Sequence, residues 1–469
     1  MEIITVNHKD RYSIEQISCL FFDRDSDVKV VSEFNGLNSI KTTTFYGNRT
    51  ETAEWIFEPF DEKALKNAVK KSTFLSMSKL SDKKAPWGIL TGIRPTKFCR
   101  DLHTDYSYNE IKEILKNDYW VSDDKSTFCV EVAENSEKMI NLMAPEEIGV
   151  YIGVPFCPSR CSYCSFISES AALYSKYIPE YTKALIAEIK SIGKIISEFG
   201  LKVGSVYVGG GTPPSLGSRL LSNVIKAAEE AFDISSDTEF TVEAGRPDVI
   251  DDELLRMLKS FDVNRLCINP QTMNDVTLKL IGRNHTSGQT YKAFELARKY
   301  SFGNINSDLI AGLPGENIGM FINTLKCIKE LDPEEITVHT MYLKRTSRIT
   351  KEKSWADCAD DTAKMVDAAV DFARMNNYSP YYMYKQRSTL GNLENTGYAK
   401  EGYESVYNVA IMEEARSILA CGSGASSKLV KNGNVERIYN IKDAFSYIRD
   451  IDEITASKKK ALKSFFLNE

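Results

Sequence analysis

From Ile148 onward, short β-branched runs alternate with stretches whose apolar residues recur at helical spacing. The runs are Val150–Val154, Val203–Val208, Glu239–Val242, Val263–Ile268, Ile305–Ile310 and Glu335–His339. Between them lie Tyr177–Phe199, Arg219–Phe232, Asp251–Phe261, Tyr291–Tyr300 and Gly319–Leu331. Neighbouring parallel strands need a long crossover, so this alternation predicts a parallel sheet covered by helices. Six βα units are too few for a closed eight-fold barrel, and a partial six-fold α/β barrel fits the count. On such sheets ligands bind at the carboxyl ends of the strands.

The flanks read differently. Residues 1–146 form an N-terminal α+β module, with β-like pieces at Glu2–Val6, Cys19–Phe22, Val28–Glu33 and Lys41–Tyr46. Helical patterns follow at Glu62–Met77, Tyr108–Asn117 and Thr127–Met143. The turn-rich stretch Pro86–Lys97 carries Arg94 and Lys97, and reads either as an anion-binding loop or as a surface turn over a buried Trp87. The barrel is assigned 147–345, and 346–469 form a small C-terminal, substrate-side extension. That extension holds a helix at Asp360–Asn376 and an aromatic stretch, Tyr378–Tyr384.

Composition narrows the class. A chain of 469 residues suggests more than one core. A net charge of −6 gives no general pull toward nucleic acid, and no apolar run is long enough to span a membrane. The amino terminus has no secretory-signal pattern, and seven of the ten cysteines are scattered singly, so reduced thiols in a cytoplasm are expected.

The other three cysteines stand together. Cys157, Cys161 and Cys164 lie in Y-I-G-V-P-F-C-P-S-R-C-S-Y-C-S-F, a C-x3-C-x2-C spacing directly after the first strand. Pro158 argues against a regular helix there, so the thiols share one loop. Thiolates favour iron–sulfur clusters and zinc. A structural zinc site wants four ligands, and none of the four His is near in sequence. Three ligands suggest a centre with one open position. A zinc site borrowing a distant ligand, or three unrelated buried thiols, are the alternatives.

Polar and glycine residues recur after the later strands. Gly209-Gly210-Gly211-Thr212-Pro213 follows the second, where glycine lets a ligand approach and bare amides can bond it. Glu243 closes the third, Asn269-Pro270-Gln271 and then Arg283 follow the fourth, and Asp308 ends the fifth. Asp308 sits among Ile305, Leu309 and Ile310, so it needs a partner. The Gly312–Gly315 turn is one candidate, and for Arg283 the bland alternative is a surface salt bridge.

The cysteine loop resembles that of radical S-adenosylmethionine (SAM) enzymes. V-G-G-G-T-P, P-Q-T-M-N…I-G-R and D-L-I-A-G-L-P add a resemblance to the oxygen-independent coproporphyrinogen III oxidase group. P-W-G-I-L-T-G-I-R-P-T-K and L-G-N-L-E-N-T-G-Y-A resemble its HemZ-type, coproporphyrinogen dehydrogenase branch. The resemblance implies a radical SAM partial (β/α)6 barrel with a 4Fe–4S cluster on Cys157, Cys161 and Cys164 and Tyr163 beside the last of them. It places Tyr151, Gly210, Gly211, Thr212 and Glu243 at SAM, with Tyr151 also packing near the cluster as a catalytic residue. Gln271, Arg283, Asp308 and Met341 match the lining of a second SAM site. The implied partners are a tetrapyrrole substrate and a flavodoxin- or ferredoxin-like electron donor.

The implied reaction is oxidative decarboxylation of coproporphyrinogen III to protoporphyrinogen IX. The alternatives on the same scaffold are a haem-binding chaperone and an anaerobic haem-modifying enzyme. Phe166 stands where the dehydrogenase carries a further Cys, and the chaperone branch also has Phe there. The chaperone's H-N-x-x-Y signature is not found in the chain. Lys344, Arg345, Arg348, Lys385 and Arg387 are candidate partners for propionates, because Arg grips carboxylates bidentately.

Overall fold

The computed structural model describes residues 1–58, 61–164, 169–342, 359–386 and 389–467. Phe166, Lys344, Arg345, Arg348 and Arg387 lie outside them. The chain divides into two compact units, Met1–Glu131 with Lys385–Glu394, and Val132–Tyr384 with Asn395–Glu469.

The first unit opens with β1 (Glu2–Val6), α1 (Arg11–Phe21), β2 (Val28–Phe34), β3 (Ser39–Tyr46), β4 (Arg49–Ile56) and α2 (Glu62–Ser78). β1 runs parallel to β2, and β2, β3 and β4 form an antiparallel meander. The expected strand at Cys19–Phe22 is instead the end of α1. Asp10 caps that helix by accepting from the Ser13 amide, and Ile14, Ile17 and Phe21 fall on one buried face. α3 (Pro95–His103), α4 (Tyr108–Asn117) and the start of α5 (Asp123–Leu142) complete this unit.

The Pro86–Lys97 stretch does cover a buried tryptophan. The Trp87 indole donates to Glu394 Oε2 at 2.8 Å, and the Lys125 ammonium meets Glu394 Oε1 at 2.6 Å. Lys385 is buried here, donating to the Leu90 carbonyl at 3.2 Å with its amine 4.8 Å from the Trp87 ring centroid. Burial pushes its pKa down to about 7. Lys385 is therefore an interior amine of this unit and not an exposed partner for a propionate. Cys99 and Cys129, scattered in sequence, meet with their sulfurs 3.4 Å apart.

The second unit is built on one eleven-stranded sheet. Its strands are β5 (Glu147–Val154), β8 (Lys202–Gly210), β9 (Glu239–Gly245), β10 (Arg265–Ile268), β11 (Ile305–Ala311), β12 (Glu335–Thr340), β13 (Ser379–Lys385), β14 (Glu394–Ala399), β15 (Ile418–Cys421), β16 (Ser426–Lys431) and β17 (Asn434–Tyr439). A separate two-residue pair, β6 (Phe156–Cys157) and β7 (Glu169–Ser170), lies just after β5. The central six, β5-β8-β9-β10-β11-β12, are parallel and lie side by side in chain order. That is the six-unit α/β half-barrel the alternation predicts.

Its crossovers are α6 (Ile178–Glu198), α7 (Ser218–Phe232), α8 (Asp252–Lys259), α9 (Asp275–Leu280), α10 (Ser287–Lys299) and α11 (Ile318–Leu331). Leu185, Ile189, Ile192, Leu221, Val224 and Ile225 from two of these helices bury against Val150, Ile152, Val206, Val208, Phe240 and Val242. A parallel strand is covered on both faces, so its sequence reads as a near-continuous apolar run.

Both edges are extended by later chain. After α12 (Ala359–Met375), β13 and β14 are added beyond β12, with β14 antiparallel to it. The tyrosines of β13 are anchored: Tyr381 donates to Glu335 at 2.7 Å, Tyr382 pairs with Thr337 at 3.2 Å and Tyr384 with His339 at 3.1 Å. After α13 (Val406–Met412), β15 returns parallel to β5 and carries β16 and β17. α14 (Ala444–Arg449) and α15 (Ile451–Leu467) then pack on α6.

Candidate functional site

The cysteine loop hangs from the carboxyl end of β5. Cys157 is the last residue of β6, while Cys161 and Cys164 lie in the turn beyond, where the Cys164 amide donates to the Cys161 carbonyl at 3.2 Å. The loop is pinned to the end of α9: the Ser162 amide and hydroxyl both donate to the Ile281 carbonyl, at 3.0 and 3.2 Å. Ser159 reaches the Gly282 carbonyl at 3.3 Å and receives a 2.6 Å bond from Arg246, which Asp248 holds bidentately. All three thiols are half-buried and none is in a disulfide.

The glycine turn after β8 closes onto this loop. A side chain at Gly211 would place its Cβ 2.5 Å from the Phe156 carbonyl oxygen and 3.0 Å from Cys157 Sγ. Only glycine leaves that space open. The turn's amides are mostly occupied, contrary to the reading of bare donors. Gly211 N–H goes to the Val154 carbonyl and Thr212 N–H to the Phe156 carbonyl, both at 2.7 Å. Thr212 Oγ1 faces Cys157 Sγ at 3.6 Å.

Among the described residues, no three His, Cys, Asp or Glu side chains converge as they would around one metal ion. Three half-exposed thiols presented from one loop suit an iron–sulfur cluster, whose irons stand apart from one another. The donor set and the cradle beside Gly211 fit that group.

Next to the loop, Glu243 of β9 accepts from the Tyr207 hydroxyl at 2.5 Å and from the Gly210 amide. Tyr207 and Tyr407 stack at 4.6 Å, and Tyr151 lies 6.3 and 6.4 Å from their centroids in nearly parallel planes. Burial, reinforced by the Asp308 charge, pushes the Glu243 carboxyl up to about 7 despite its two donors.

The unfolded carboxyl ionises near its ordinary 4.5, while the folded one keeps its proton to about 7. Folding stability is therefore expected to fall by roughly 3 kcal/mol as pH rises through that window, and Glu243→Gln to remove the slope. Chemical denaturation of both proteins across the window measures it.

Asp308 of β11 accepts from Asn306 Nδ2 at 2.8 Å and faces His339 Nε2 at 3.7 Å. Burial opposes its charge, but His339 and Asn306 outweigh that and hold the carboxyl below its usual range. Its partners are these side chains and not the Gly312–Gly315 turn.

Gln271 sits at φ +67°, with its backbone bonded to Asp308 and Ile310. Met341, just past β12, is buried and bonded through its amide to the Ala311 carbonyl. Arg283 is no surface residue. It is buried and donates to the Asn269 carbonyl at 2.5 Å and the Tyr163 hydroxyl at 3.0 Å, pinning the aromatic that precedes Cys164.

The structure thus brings Tyr151, Gly210 and Glu243 next to one another. It places Gly211 and Thr212 against Cys157, and Tyr163 with Arg283. Three residues of the same region escaped the sequence reading. Tyr207 and His339 lie on assigned strands, where the carboxyl-end rule points. Tyr407 comes from α13 and left no local signal.

Comparisons with known proteins agree with this geometry. The radical SAM superfamily profile matches residues 151–328. The oxygen-independent coproporphyrinogen-III oxidase-like protein HemZ of Bacillus subtilis is 38% identical over 388 residues, 81% of this chain and 77% of its own length. The heme chaperone HemW of Lactococcus lactis is 29% identical over 67% of this chain and 78% of its own. Coproporphyrinogen III oxidase (HemN) from Escherichia coli, a radical SAM enzyme, shares the fold with a TM-score of 0.55 at 23% identity, over 68% of this chain and 72% of its own. With its thiol loop, glycine turn and six-unit half-barrel, the chain belongs to the radical SAM superfamily, in the HemZ branch of the oxygen-independent coproporphyrinogen-III oxidase-like proteins.

Proposed function

We propose that the protein is a radical SAM oxidoreductase that decarboxylates the propionates of coproporphyrinogen III to vinyl groups. The observation that carries this is the three-thiol loop closed by Gly211 at the carboxyl end of β5, one strand from the Tyr207–Glu243 pair. A 4Fe–4S cluster with SAM supplies reductive S–C5′ cleavage and a 5′-deoxyadenosyl radical.

The chain's own residues do the rest. Cys157, Cys161 and Cys164 hold the cluster. The Gly209–Gly211 turn lets the cofactor approach, and the Glu243 carboxyl, lifted by burial to about 7, accepts from a ribose hydroxyl or an amine and, in its acid form, also donates. Tyr151 and Tyr407 wall the site with flat apolar surface and keep water from it. Each of the two reacting propionates gives up one hydrogen atom, CO2 and one electron, the electron passing to an external one-electron acceptor, and a carbon–carbon double bond remains.

The HemW relative supports a second reading, haem binding without turnover. Anaerobic reconstitution with SAM, reductant and coproporphyrinogen III separates the two. The enzyme reading expects 5′-deoxyadenosine together with a product lighter by two CO2 and four hydrogens. Stoichiometric haem binding with the porphyrinogen untouched would replace it with the chaperone reading.

A further inference from the structure

Two neighbouring strands carry the same three-residue pattern side by side. Tyr151-Ile152-Gly153 of β5 pairs in register with Tyr207-Val208-Gly209 of β8, tyrosine against tyrosine and glycine against glycine. Residues two apart on a strand share a face, so each glycine lies beside the ring that leans along the strand toward it. A Cβ on Gly153 would stand 3.2 Å from the Tyr151 ring. One on Gly209 would stand 2.7 Å from the Tyr207 ring, 2.9 Å from the Glu243 carboxyl carbon and 3.0 Å from its Oε1. Glycine at 209 is therefore required by the Tyr207–Glu243 pair itself. We propose that Tyr207 is a positioning residue whose hydroxyl fixes the Glu243 carboxyl in the orientation that receives SAM, with Gly209 leaving room for the pair. This rests on the SAM-binding reading.

The surroundings brace the pair. The Tyr207 hydroxyl donates to Glu243 Oε1 at 2.5 Å, and the Gly210 amide bonds the same carboxyl. Both donors belong to β8 and the acid to β9, so the carboxyl is tied across two strands. Tyr407 stacks on the Tyr207 ring at 4.6 Å. Tyr407 is itself anchored, because the Val406 and Tyr407 amides donate to the Glu239 carboxylate of β9 at 2.7 and 3.1 Å. Burial raises the Tyr207 hydroxyl well above its ordinary range, so it keeps its proton and serves as a donor. A carboxyl offers about four acceptor directions, so these bonds leave others for a ribose hydroxyl or an amine. A glutamate left free would have to be ordered when the ligand arrives, which weakens binding; Tyr207 orders it beforehand.

The test is SAM affinity, measured by anaerobic equilibrium dialysis of the reconstituted full chain at neutral pH. Tyr207→Phe keeps the ring and its stack and loses the hydroxyl. It is expected to weaken SAM binding about tenfold, the size of one hydrogen bond to an ionisable group. On a Glu243→Ala background the same change should weaken binding less than about twofold, because the hydroxyl acts through the carboxyl. Glu243→Asp, with its carboxyl drawn back by one methylene, closes a second cycle with the same expectation. Iron–sulfur absorbance is recorded for every variant and should match wild type. Equal losses with and without Glu243 would mark a hydroxyl that braces the sheet or touches SAM directly, and would overturn the inference. Unchanged or tighter binding by Tyr207→Phe, or loss of its absorbance, also overturns it and leaves the SAM reading standing. If wild type binds no SAM, the SAM reading fails, and the inference with it.

Discussion

Replacing any one of Cys157, Cys161 or Cys164 by Ala is expected to abolish the iron–sulfur absorbance of the reconstituted protein and to reduce 5′-deoxyadenosine formation to background. The three thiols come from one loop and do not substitute for one another. The Ser159, Ser162 and Tyr163 anchors hold the chain between them, so the loop cannot slide to present another donor. Cys267 and Cys421 are buried in the sheet and their thiols are pushed upward by burial, which makes them poor replacements. Cys19→Ala, exposed on α1, is the control and should change neither readout. Absorbance retained in any loop variant would remove the basis of the functional reading.

The second large effect concerns folding. Glu188 of α6 is fully buried and accepts from the Gly422 amide and Asn440 at 2.8 Å, the Tyr447 hydroxyl at 2.5 Å, and the Lys458 ammonium. These donors come from the β15 end, the β17 end, α14 and α15. One carboxylate therefore ties the C-terminal extension to the half-barrel. Glu188→Ala would leave the Lys458 amine buried with the Ala420 carbonyl at 2.7 Å as its remaining partner. Removing one member of a buried pair costs about 3–5 kcal/mol, read as a lower denaturant midpoint. Lys458→Met should destabilise too, and Glu188→Leu with Lys458→Met together should cost less than the two single losses summed, because no charge is then left unpaired. Strict additivity would show that the ion pair is not what couples these elements.

Much of the site was legible because its parts obey local rules. Three cysteines around a proline cannot be core material of a helix, and glycines after a buried strand mark close approach. Asp308 between Ile305 and Leu309 had to have a partner, and it does. The partner itself, His339 on the adjacent strand, was not legible, since pairing β11 with β12 depends on register. Cys19–Phe22 misled for the opposite reason: four apolar residues suit a strand or a helix, and the Asp10 cap decided for the helix. Lys385 looked like a surface cation on a tyrosine-rich strand, and its burial with Trp87 came from chain far away in sequence.

By itself, the sequence determined the six βα units, the thiol loop and the side chains at the strand ends, because hydrophobic period, proline and glycine act over a few residues. Only tertiary structure decided that β15 returns to flank β5, that Tyr407 joins Tyr151 and Tyr207, and that burial raises the Glu243 carboxyl while His339 and Asn306 hold that of Asp308 down. Those outcomes depend on burial and on charges brought together from distant strands, and no local pattern of residues encodes them.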